Sequence, residues 1–525
     1  MPGISVILLL SGTLFSGLVY YASNHLGKVG MSYLKKPNFI VILADDIGWG
    51  DLGLNWPRRS HTPLLNLLAQ EGMRFTDFHS PASTCSPSRA SLLTGRHGLR
   101  TGVTHNFAVG STGGLPLNET TLAEVLQGAG YYTAMIGKWH LGHRGPYHPS
   151  RRGFDYYYGI PYSNDMGCTD TPGYDIPECP PCVKDPAKES DEHKDCYSTV
   201  ALPLFEDLQI VEQPLDLWTL TEKYTQKAVD IIHKAREVGK PFILYIALAH
   251  MHVPLSPASH HGNVSLEDVY AASLQEMDNL VGAIKNASDA TAKENTLIWF
   301  TGDNGPWDQK CQFSGSVGPF LGRWQSDRGG SSAKKTTWEG GHRVPTIAYW
   351  PGKIPANVTS NALLSGLDIF PTVLSLAGAS LPPHRHYDGI DVTKVLFHHS
   401  DTGHKCLLHP NSGAAGQFGD LQAARLEQYK AFYITGAAVA CGGQRGQEEL
   451  HDPPLIFDLS RDEEEGSPLD SSHAEYKAVL EMVEKEREAV LQDIAADNVS
   501  QADYAIDPSA APCCDRSHPA CRCRG

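Results

Sequence analysis

Three continuous apolar segments each end abruptly in polar residues, and this pattern constrains the fold more than any other feature of the chain. The segments are 38–44, 242–249 and 297–301, and they lead into Asp45-Asp46, His250-Met251-His252 and Asp303-Asn304. Apolar runs without polar alternation are typical of strands buried on both faces of a parallel sheet. Because ligands gather at the carboxyl ends of such strands, the polar clusters predict a functional site at one sheet edge.

Helical patterns lie between these segments, at 62–71, 121–130 and 219–238. Strands that alternate with helices predict an α/β fold with a large mixed, mostly parallel sheet flanked by helices. The composition changes after residue 400, where strand-like runs at 430–435 and 455–459 precede a charged helical segment at 473–493. We therefore predict a domain at 37–400 and a smaller α+β subdomain with an antiparallel sheet at 401–525.

The N-terminal segment 4–22 contains no charged side chain, and its apolar core is diluted by Gly, Ser and Thr. This pattern predicts a secretory signal peptide at 1–22, cleaved between residues 16 and 23. An uncleaved membrane anchor is the alternative, since the segment nearly suffices to span a bilayer. Candidate glycosylation sequons agree with a secretory route and begin at Asn118, Asn263, Asn286, Asn357 and Asn498.

Eight of the twelve cysteines cluster in two places, which are Cys168, Cys179, Cys182 and Cys196, and then Cys513, Cys514, Cys521 and Cys523. In an oxidising compartment both groups predict local disulfides. The Cys179-Pro-Pro-Cys182 spacing also occurs in redox and zinc pairs, but the prolines and the secretory setting favour a disulfide. Without Cys85 eleven cysteines remain, so at least one thiol is free or pairs between chains.

Cys85 opens the most specific motif of the chain, Cys85-Ser86-Pro87-Ser88-Arg89, which continues to Leu92-Leu93-Thr94-Gly95. Pro87 suits the first position of a helix with Ser86 as its cap, so we expect Cys85 at a helix N-terminus, where unpaired N–H groups favour anions. A low-pKa nucleophilic cysteine and a buried structural cysteine are two alternatives. The spacing of the cysteine, proline and arginine resembles the element at which type I sulfatases convert cysteine into formylglycine.

The acidic strand ends offer only oxygen ligands, from Asp45, Asp46, Asp303 and Asn304. Such a set suits a hard divalent cation, Ca²⁺ or Mg²⁺, better than Zn²⁺. The alternative is structural, with the Asp pair capping a helix and Asp303-Asn304 forming a turn. We favour the cation, because two acidic strand ends at one sheet edge would repel each other without it.

Two further blocks extend the resemblance to the sulfatase family, Gly137-Lys138-Trp139-His140-Leu141-Gly142 and the segment 334–341. The resemblance covers 37–351 and implies an alkaline-phosphatase-like α/β sandwich. It implies that Asp45, Asp46, Asp303, Asn304 and residue 85 bind the cation, and that Arg89 holds the formylglycine hydrate. It further implies that Lys138, His140, Ser163 and Lys334 bind sulfate and that His252 protonates the leaving oxygen. His250 and Lys335 are alternatives to His252 and Lys334.

The same resemblance implies hydrolysis of sulfate esters, in which one hydroxyl of the hydrate attacks sulfur and the other expels sulfate. It implies maturation by the formylglycine-generating enzyme, aryl sulfate or sulfated carbohydrate substrates, and a lysosomal role on the 3-O-sulfate of N-sulfoglucosamine in heparan sulfate. The net charge of −16 excludes nucleic acid as a general partner. Two alternatives are a phosphatase or phosphodiesterase of the alkaline phosphatase superfamily, and a catalytically silent glycosaminoglycan-binding protein.

Overall fold

The computed structural model describes residues 36–56, 61–169, 200–257, 265, 268–516 and 521–524. The predicted signal peptide, Cys179, Cys182, Cys196 and Asn263 lie outside these residues. The strands of the described part are β1 Asn38–Ala44, β2 Met73–Phe75, β3 Phe78–His79, β4 Tyr132–Gly137, β5 Tyr156–Gly159, β6 Leu204–Glu206, β7 Gln209–Gln213, β8 Phe242–Ala247, β9 Thr296–Gly302, β10 Thr346–Tyr349, β11 Val358–Ser360, β12 Leu364–Ser365, β13 Cys406–Pro410, β14 Leu421–Leu426, β15 Tyr429–Thr435, β16 Glu449–Asp458 and β17 Cys523–Arg524. Its α-helices are α1 Pro63–Gln70, α2 Cys85–Thr94, α3 Gly98–Thr101, α4 Leu122–Gly128, α5 Leu220–Val238, α6 Val269–Ala292, α7 Arg323–Ser326, α8 Glu339–His342, α9 Ile369–Ala377, α10 Thr393–His398 and α11 Ala474–Ala496.

The three apolar segments form neighbouring strands at the centre of one large sheet. Strand β1 lies between β9 and β8 and is parallel to both, and β4 and β5 continue the parallel array beyond β8. Among the described residues the sheet order is β11-β2-β10-β9-β1-β8-β4-β5-β6-β7-β17, with antiparallel pairs toward both edges. The mixed, mostly parallel sheet predicted from the sequence is therefore confirmed.

Side chains of the central strands alternate between two hydrophobic cores, because successive residues of a strand face opposite sides. In β1, Ile40 and Ile42 face one core, which α1, α5 and α6 cover, whereas Phe39 and Val41 face the other, which α2, α4 and α9 cover. Helices on both faces bury β1 completely, which explains its unbroken apolar sequence.

The C-terminal residues form a separate antiparallel sheet of four strands, β13-β14-β15-β16, as the sequence predicted. Helix α11 packs on one face through Tyr476, Val479 and Val483. The other face packs through Phe432 and Phe457 against Trp324 and Trp338 of the preceding region. The C-terminal sheet is thus covered on both sides.

Disulfides tie the C-terminal region together and link it to the rest of the chain. The terminal group pairs as Cys513–Cys521 and Cys514–Cys523, and Cys311 is bonded to Cys441. Cys168 is also disulfide-bonded. The free cysteines of the described residues are Cys85 and Cys406, so the expected odd thiol is present.

Helices long and apolar enough to cross a membrane are absent from the described part of the chain. Four of the five predicted sequons fall within that part, and their asparagines, Asn118, Asn286, Asn357 and Asn498, are all exposed. Exposure is what glycosylation requires, so these positions remain candidates.

Candidate active site

The strand ends bring the predicted site residues together at the carboxyl edge of the parallel array. Asp45 and Asp46 follow β1, Asp303 and Asn304 follow β9, Lys138 and His140 follow β4, His252 follows β8, and Cys85 begins α2. These residues, together with Arg89, Ser163 and Lys334, are each at most 3% exposed. Long-range strand pairing therefore assembles a buried polar site from residues that are far apart in sequence.

Cys85 lies at the first position of α2, as predicted, but the helix starts earlier than the proline suggested. Its N-cap is Thr84, so the prediction that Ser86 caps the helix is wrong. Ser86 instead donates a hydrogen bond through Oγ to the carbonyl of His140 at 2.7 Å. Pro87 is tolerated in the first turn because N–H groups there have no partner within the helix.

The Cys85 thiol faces charged groups on two sides. Its Sγ lies 3.4 Å from Lys138 Nζ and 3.6 Å from Asp45 Oδ1. Burial raises the pKa of Cys85 to about 12, although the nearby lysine charges of Lys138 and Lys334 act in the opposite direction. An unmodified thiolate nucleophile is therefore disfavoured here, in contrast to the reactive-cysteine alternative.

The three acids of the site each contact a buried cation. The pairs are Asp45 Oδ2 with Lys138 Nζ at 2.6 Å, Asp46 Oδ1 with Lys334 Nζ at 2.5 Å, and Asp303 Oδ2 with Arg89 Nη2 at 2.8 Å. We call these six residues the edge cluster. Burial and the charge of Asp45 raise the pKa of Asp303 to about 7 despite its arginine partner. Asp45 and Asp303 therefore lie close enough together that the charge of one disfavours ionisation of the other.

The donor set at this edge fits a hard divalent cation. Ligand atoms of Asp45, Asp46, Cys85 and His252 lie within 4.8 Å of one another. Asp303 joins them, because its Oδ1 accepts a hydrogen bond from the Asp46 amide at 3.2 Å. Asn304 Oδ1 is buried and accepts no hydrogen bond. A cation would satisfy that orphaned oxygen and relieve the repulsion between Asp45 and Asp303.

His140 has the hydrogen-bonding pattern of a neutral ring. Its Nε2 lies 3.0 Å from the carbonyl oxygen of Phe107 and must donate to it, which leaves Nδ1 as a buried acceptor without a partner. Burial, reinforced by the charges of Lys138 and Arg89, holds the pKa of His140 well below its usual value. A neutral acceptor suits proton abstraction better than the sulfate binding that the resemblance implied.

His252 and Ser163 lie close to each other, and His252 also lies close to Asp46. The Nε2 atom of His252 is 3.5 Å from Ser163 Oγ and 3.6 Å from Asp46 Oδ2. Its Nδ1 is 2.5 Å from the carbonyl oxygen of Val253, so Nδ1 is the donor to the backbone. Ser163 also accepts from Lys138 Nζ at 3.1 Å, which places Ser163 between the lysine and the histidine.

The structure distinguishes His252 from its alternative His250, and Lys334 from its alternative Lys335. Strand β8 ends at Ala247, and in the turn that follows His250 points to α5, with Nε2 2.8 Å from Thr221 Oγ1. The two histidines follow the strand and have different partners, and of the two it is His252 that reaches Asp46. Lys334 contacts Asp46 directly, whereas Lys335 Nζ lies 4.7 Å from the ring of Trp307.

Two residues near the site were not predicted. Burial opposes ionisation of Asp165, but the charge of His252 and a hydrogen bond with Ser163 lower its pKa overall. Trp307 lies 5.4 Å from the His252 ring, measured between centroids. A sequence signal existed for both, since Asp165 follows Ser163 by two residues and Trp307 follows Asp303-Asn304 by three.

Comparison with known proteins identifies the class to which this fold and site belong. A family model described as "Sulfatase" matches residues 37–379, and one described as "C-terminal region of aryl-sulfatase" matches residues 402–523. The chain therefore belongs to the sulfatase family and is a sulfuric ester hydrolase. The alternative of a non-enzymatic binding protein is thereby set aside.

Individual relatives are similar over almost the whole chain. The chain is 62% identical to arylsulfatase G of Rattus norvegicus over 516 residues, covering 98% of each protein. It is 61% identical to arylsulfatase G of Homo sapiens over 520 residues, again covering 98% of each. Among solved structures it is similar to the PsFucS1 sulfatase from Pseudoalteromonas sp., with a TM-score of 0.73, 26% identity, and coverage of 92% of this chain and 95% of that one.

Proposed function

We propose that the chain hydrolyses sulfate esters at residue 85 after conversion of Cys85 into formylglycine by the formylglycine-generating enzyme. The observation that carries the proposal is the position of Cys85, at a helix N-terminus and between Lys138 and Asp45. Asp45, Asp46, Asp303 and Asn304 would hold the divalent cation, which we propose is Ca²⁺, with Mg²⁺ as the alternative. When present, the hydrated aldehyde supplies a nucleophilic hydroxyl, and the cation lowers the pKa of that hydroxyl.

The residues of this chain then bind the sulfate group and move protons. Lys138 and Lys334 carry positive charge to the sulfate oxygens and stabilise the charge that develops during transfer. Ser163 lies 3.1 Å from Lys138 Nζ and is placed to contact the same oxygens. Arg89 contacts Asp303 and the carbonyl of Lys138, so it also fixes the backbone that positions that lysine.

In this proposal His140 and His252 transfer the protons. His252 donates a proton from Nε2 to the leaving alcohol oxygen, since its Nδ1 is bonded to the backbone. His140, whose Nδ1 has no partner, would accept the proton that the second hydroxyl of the hydrate loses when sulfate leaves. Burial and the charge of Lys334 lower the pKa of His252, while the carboxylates of Asp46 and Asp165 oppose this effect and favour the charged ring. The two rings differ in which nitrogen is bonded to the backbone, Nε2 in His140 and Nδ1 in His252, so they present different nitrogens to the site.

We further propose that the physiological substrate is heparan sulfate, at the 3-O-sulfate of N-sulfoglucosamine, with aryl sulfates cleaved in assays. The similarity to arylsulfatase G supports this assignment. Disulfides and exposed sequons support passage through the secretory pathway, and we propose the lysosome lumen as the destination. We retain the domain limits 37–400 and 401–525 and the signal peptide at 1–22 as proposals.

Peptide mass spectrometry of the secreted protein tests the central step. The peptide that contains residue 85 should show the mass of formylglycine, and purified protein should release alcohol from an aryl sulfate. An unmodified thiol in fully active protein would contradict the proposal. A phosphate ester assay on the same preparation tests the phosphatase alternative, which predicts hydrolysis of the phosphate ester at least as fast as that of the sulfate ester.

A further inference from the structure

Trp307 gathers three lysine ammonium groups beside the sulfate-binding residues. The Nζ atoms of Lys310, Lys334 and Lys335 lie 4.5, 4.6 and 4.7 Å from its ring centroid. Cations at this distance are attracted to the electron-rich face of an indole ring, so the ring draws together charges that would otherwise repel. One of the three, Lys334, belongs to the edge cluster, and the other two lie outside it.

Lys335 differs from Lys334 in its partners. Lys334 is paired with Asp46, whereas Lys335 forms no ion pair with any residue of the described ranges. Burial lowers the pKa of Lys335, and the charges of Lys334 and Lys310 lower it further, against a smaller opposing effect of Asp46 and Asp165. A half-buried ammonium group surrounded mainly by other ammonium groups is stabilised by an added anion.

The backbone holds this group of residues in a fixed place. Lys335 adopts a left-handed conformation, with φ of 76°, and its amide donates to the carbonyl of Ser83 at 2.9 Å. On the other side, a Cβ added at Gly413 would lie 2.5 Å from Lys335 Cβ. The disulfide from Cys311 to Cys441 anchors the segment that carries Lys310. A strained backbone conformation such as that of Lys335 is often found where the fold holds a side chain in one position.

We propose that Trp307, Lys310 and Lys335 form a second anion subsite, next to the pocket that binds the scissile sulfate. Its ligand is a further sulfate or carboxylate group of a sulfated saccharide, on the same sugar as the scissile ester or on its neighbour. The inference rests on the proposed sulfatase function and deepens it, because it selects polyanionic saccharides over aryl sulfates, which carry a single negative charge. Trp307 acts as a positioning residue that keeps both ammonium groups at the pocket rim.

Inhibition kinetics test this subsite without requiring that the saccharide be cleaved. A heparin-derived disaccharide that carries several sulfates is used as a competitive inhibitor of p-nitrophenyl sulfate hydrolysis. In Lys335→Gln and Lys310→Gln the inhibition constant should rise about tenfold, while KM for the aryl sulfate stays within about twofold of wild type. Lys335→Arg should restore most of the affinity, and Trp307→Phe should keep more of it than Trp307→Ala. Exposed Lys353, changed to Gln, is the matched control.

The outcomes separate this inference from the proposed function. Absence of aryl sulfate hydrolysis by wild type would contradict the function itself. With hydrolysis intact, three results would overturn the subsite: no inhibition by the disaccharide, an inhibition constant unchanged in both lysine variants, or an aryl sulfate KM that rises in parallel with it. The last result would place Lys335 in the scissile sulfate pocket instead. A steeper loss of inhibition with salt in wild type than in Lys335→Gln would support the subsite.

Discussion

Two of the buried clusters of acids and cations in the described residues differ in what lies at their centre. The edge cluster surrounds Cys85. The second, which we call the interface cluster, consists of Asp77, Glu339, Arg343, Arg425 and Lys430, and joins the C-terminal sheet to the rest of the chain. In each cluster two acids lie close enough to a neighbouring histidine, His252 or His79, for the group to hold a metal ion. Composition and burial alone therefore do not distinguish them.

The cations of the interface cluster are paired with its acids. All three side-chain nitrogens of Arg343 and of Arg425 donate to Asp77, Glu339 or backbone carbonyls. Lys430 Nζ lies 2.7 Å from Glu339 Oε1. Both carboxylates of the cluster, Asp77 and Glu339, are paired with its cations, so the cluster acts as a joint between the C-terminal sheet and the rest of the chain. Beside the edge cluster, in contrast, Asn304 Oδ1 and His140 Nδ1 are buried without a hydrogen-bond partner, and such acceptors are available to a cation or a reacting group.

The largest effect is expected from substitution of Cys85, and it should be absent when Cys406, the other free cysteine of the described residues, is substituted. Cys85→Ser should abolish steady turnover, because serine provides one hydroxyl where the proposed chemistry needs two. At most a single equivalent of alcohol should be released per chain in a rapid-mixing experiment. Cys406→Ser is the matched control, since Cys406 lies outside the site, and it should retain wild-type kcat. Undiminished turnover by Cys85→Ser would defeat the proposed chemistry.

The next largest effect is expected from chelation, which should affect the edge cluster and leave the interface cluster unchanged. Removing the divalent cation with EDTA or EGTA should eliminate activity and lower the Tm, because Asp45, Asp46 and Asp303 would lose the cation that they bind together. Added Ca²⁺ should restore both. Glu339→Gln should leave the bound metal content, measured by plasma mass spectrometry, unchanged. Loss of metal in Glu339→Gln with retention in Asp303→Asn would show that the two clusters had been assigned the wrong way round.

Lys430→Met tests how much the interface cluster contributes to the stability of the folded chain. The substitution keeps the apolar stem but removes the charge from a fully buried pair with Glu339, which should lower the free energy of unfolding by about 3 kcal/mol. Urea unfolding followed by tryptophan fluorescence measures the change. Lys405→Met, which removes an exposed pair with Glu486, should have no measurable effect. Stability equal to wild type in Lys430→Met would mean that packing alone holds the interface.

The sequence predicted the central elements well, because their signals are local. The apolar run 38–44 matches β1, and the periodic segment 219–238 matches α5 to within one residue. Strand β16 begins at Glu449, well before the apolar run predicted at 455–459, because residues 449–453 are at least partly exposed and contain a single large apolar side chain, Leu450, so they carry no hydrophobic pattern. Periodicity reports burial, so strand segments without burial escape it.

Within the site, residue identities were predictable but orientations were not. Asp45, Asp303 and Cys85 follow from strand ends and a motif. The choice of His252 over His250 depends on the turn after β8, and the pairing of Glu339 with Lys430 joins residues 91 positions apart. Such contacts are determined by tertiary packing, for which the sequence alone gives no spacing rule.

The smallest predicted effect concerns Glu465, at the edge of the interface cluster. Burial and the charge of Glu339 raise its pKa to about 8, and its Oε1 has no hydrogen-bond partner. The folded state therefore holds a proton that the unfolded state loses above its ordinary glutamate pKa. This contribution to stability is complete below that ordinary value and is lost as pH rises toward 8.

Glu465→Gln should remove this pH dependence, because glutamine stays neutral throughout. Between pH 5 and 8 the wild type should lose on the order of 1–2 kcal/mol more unfolding free energy than the variant, with the two most alike at pH 5. Urea unfolding at a series of pH values measures the difference. Parallel stability curves would show that Glu465 is ionised in the folded state and that Lys430 neutralises both acids. In that case Glu465 would make no contribution to the pH dependence of stability between pH 5 and 8.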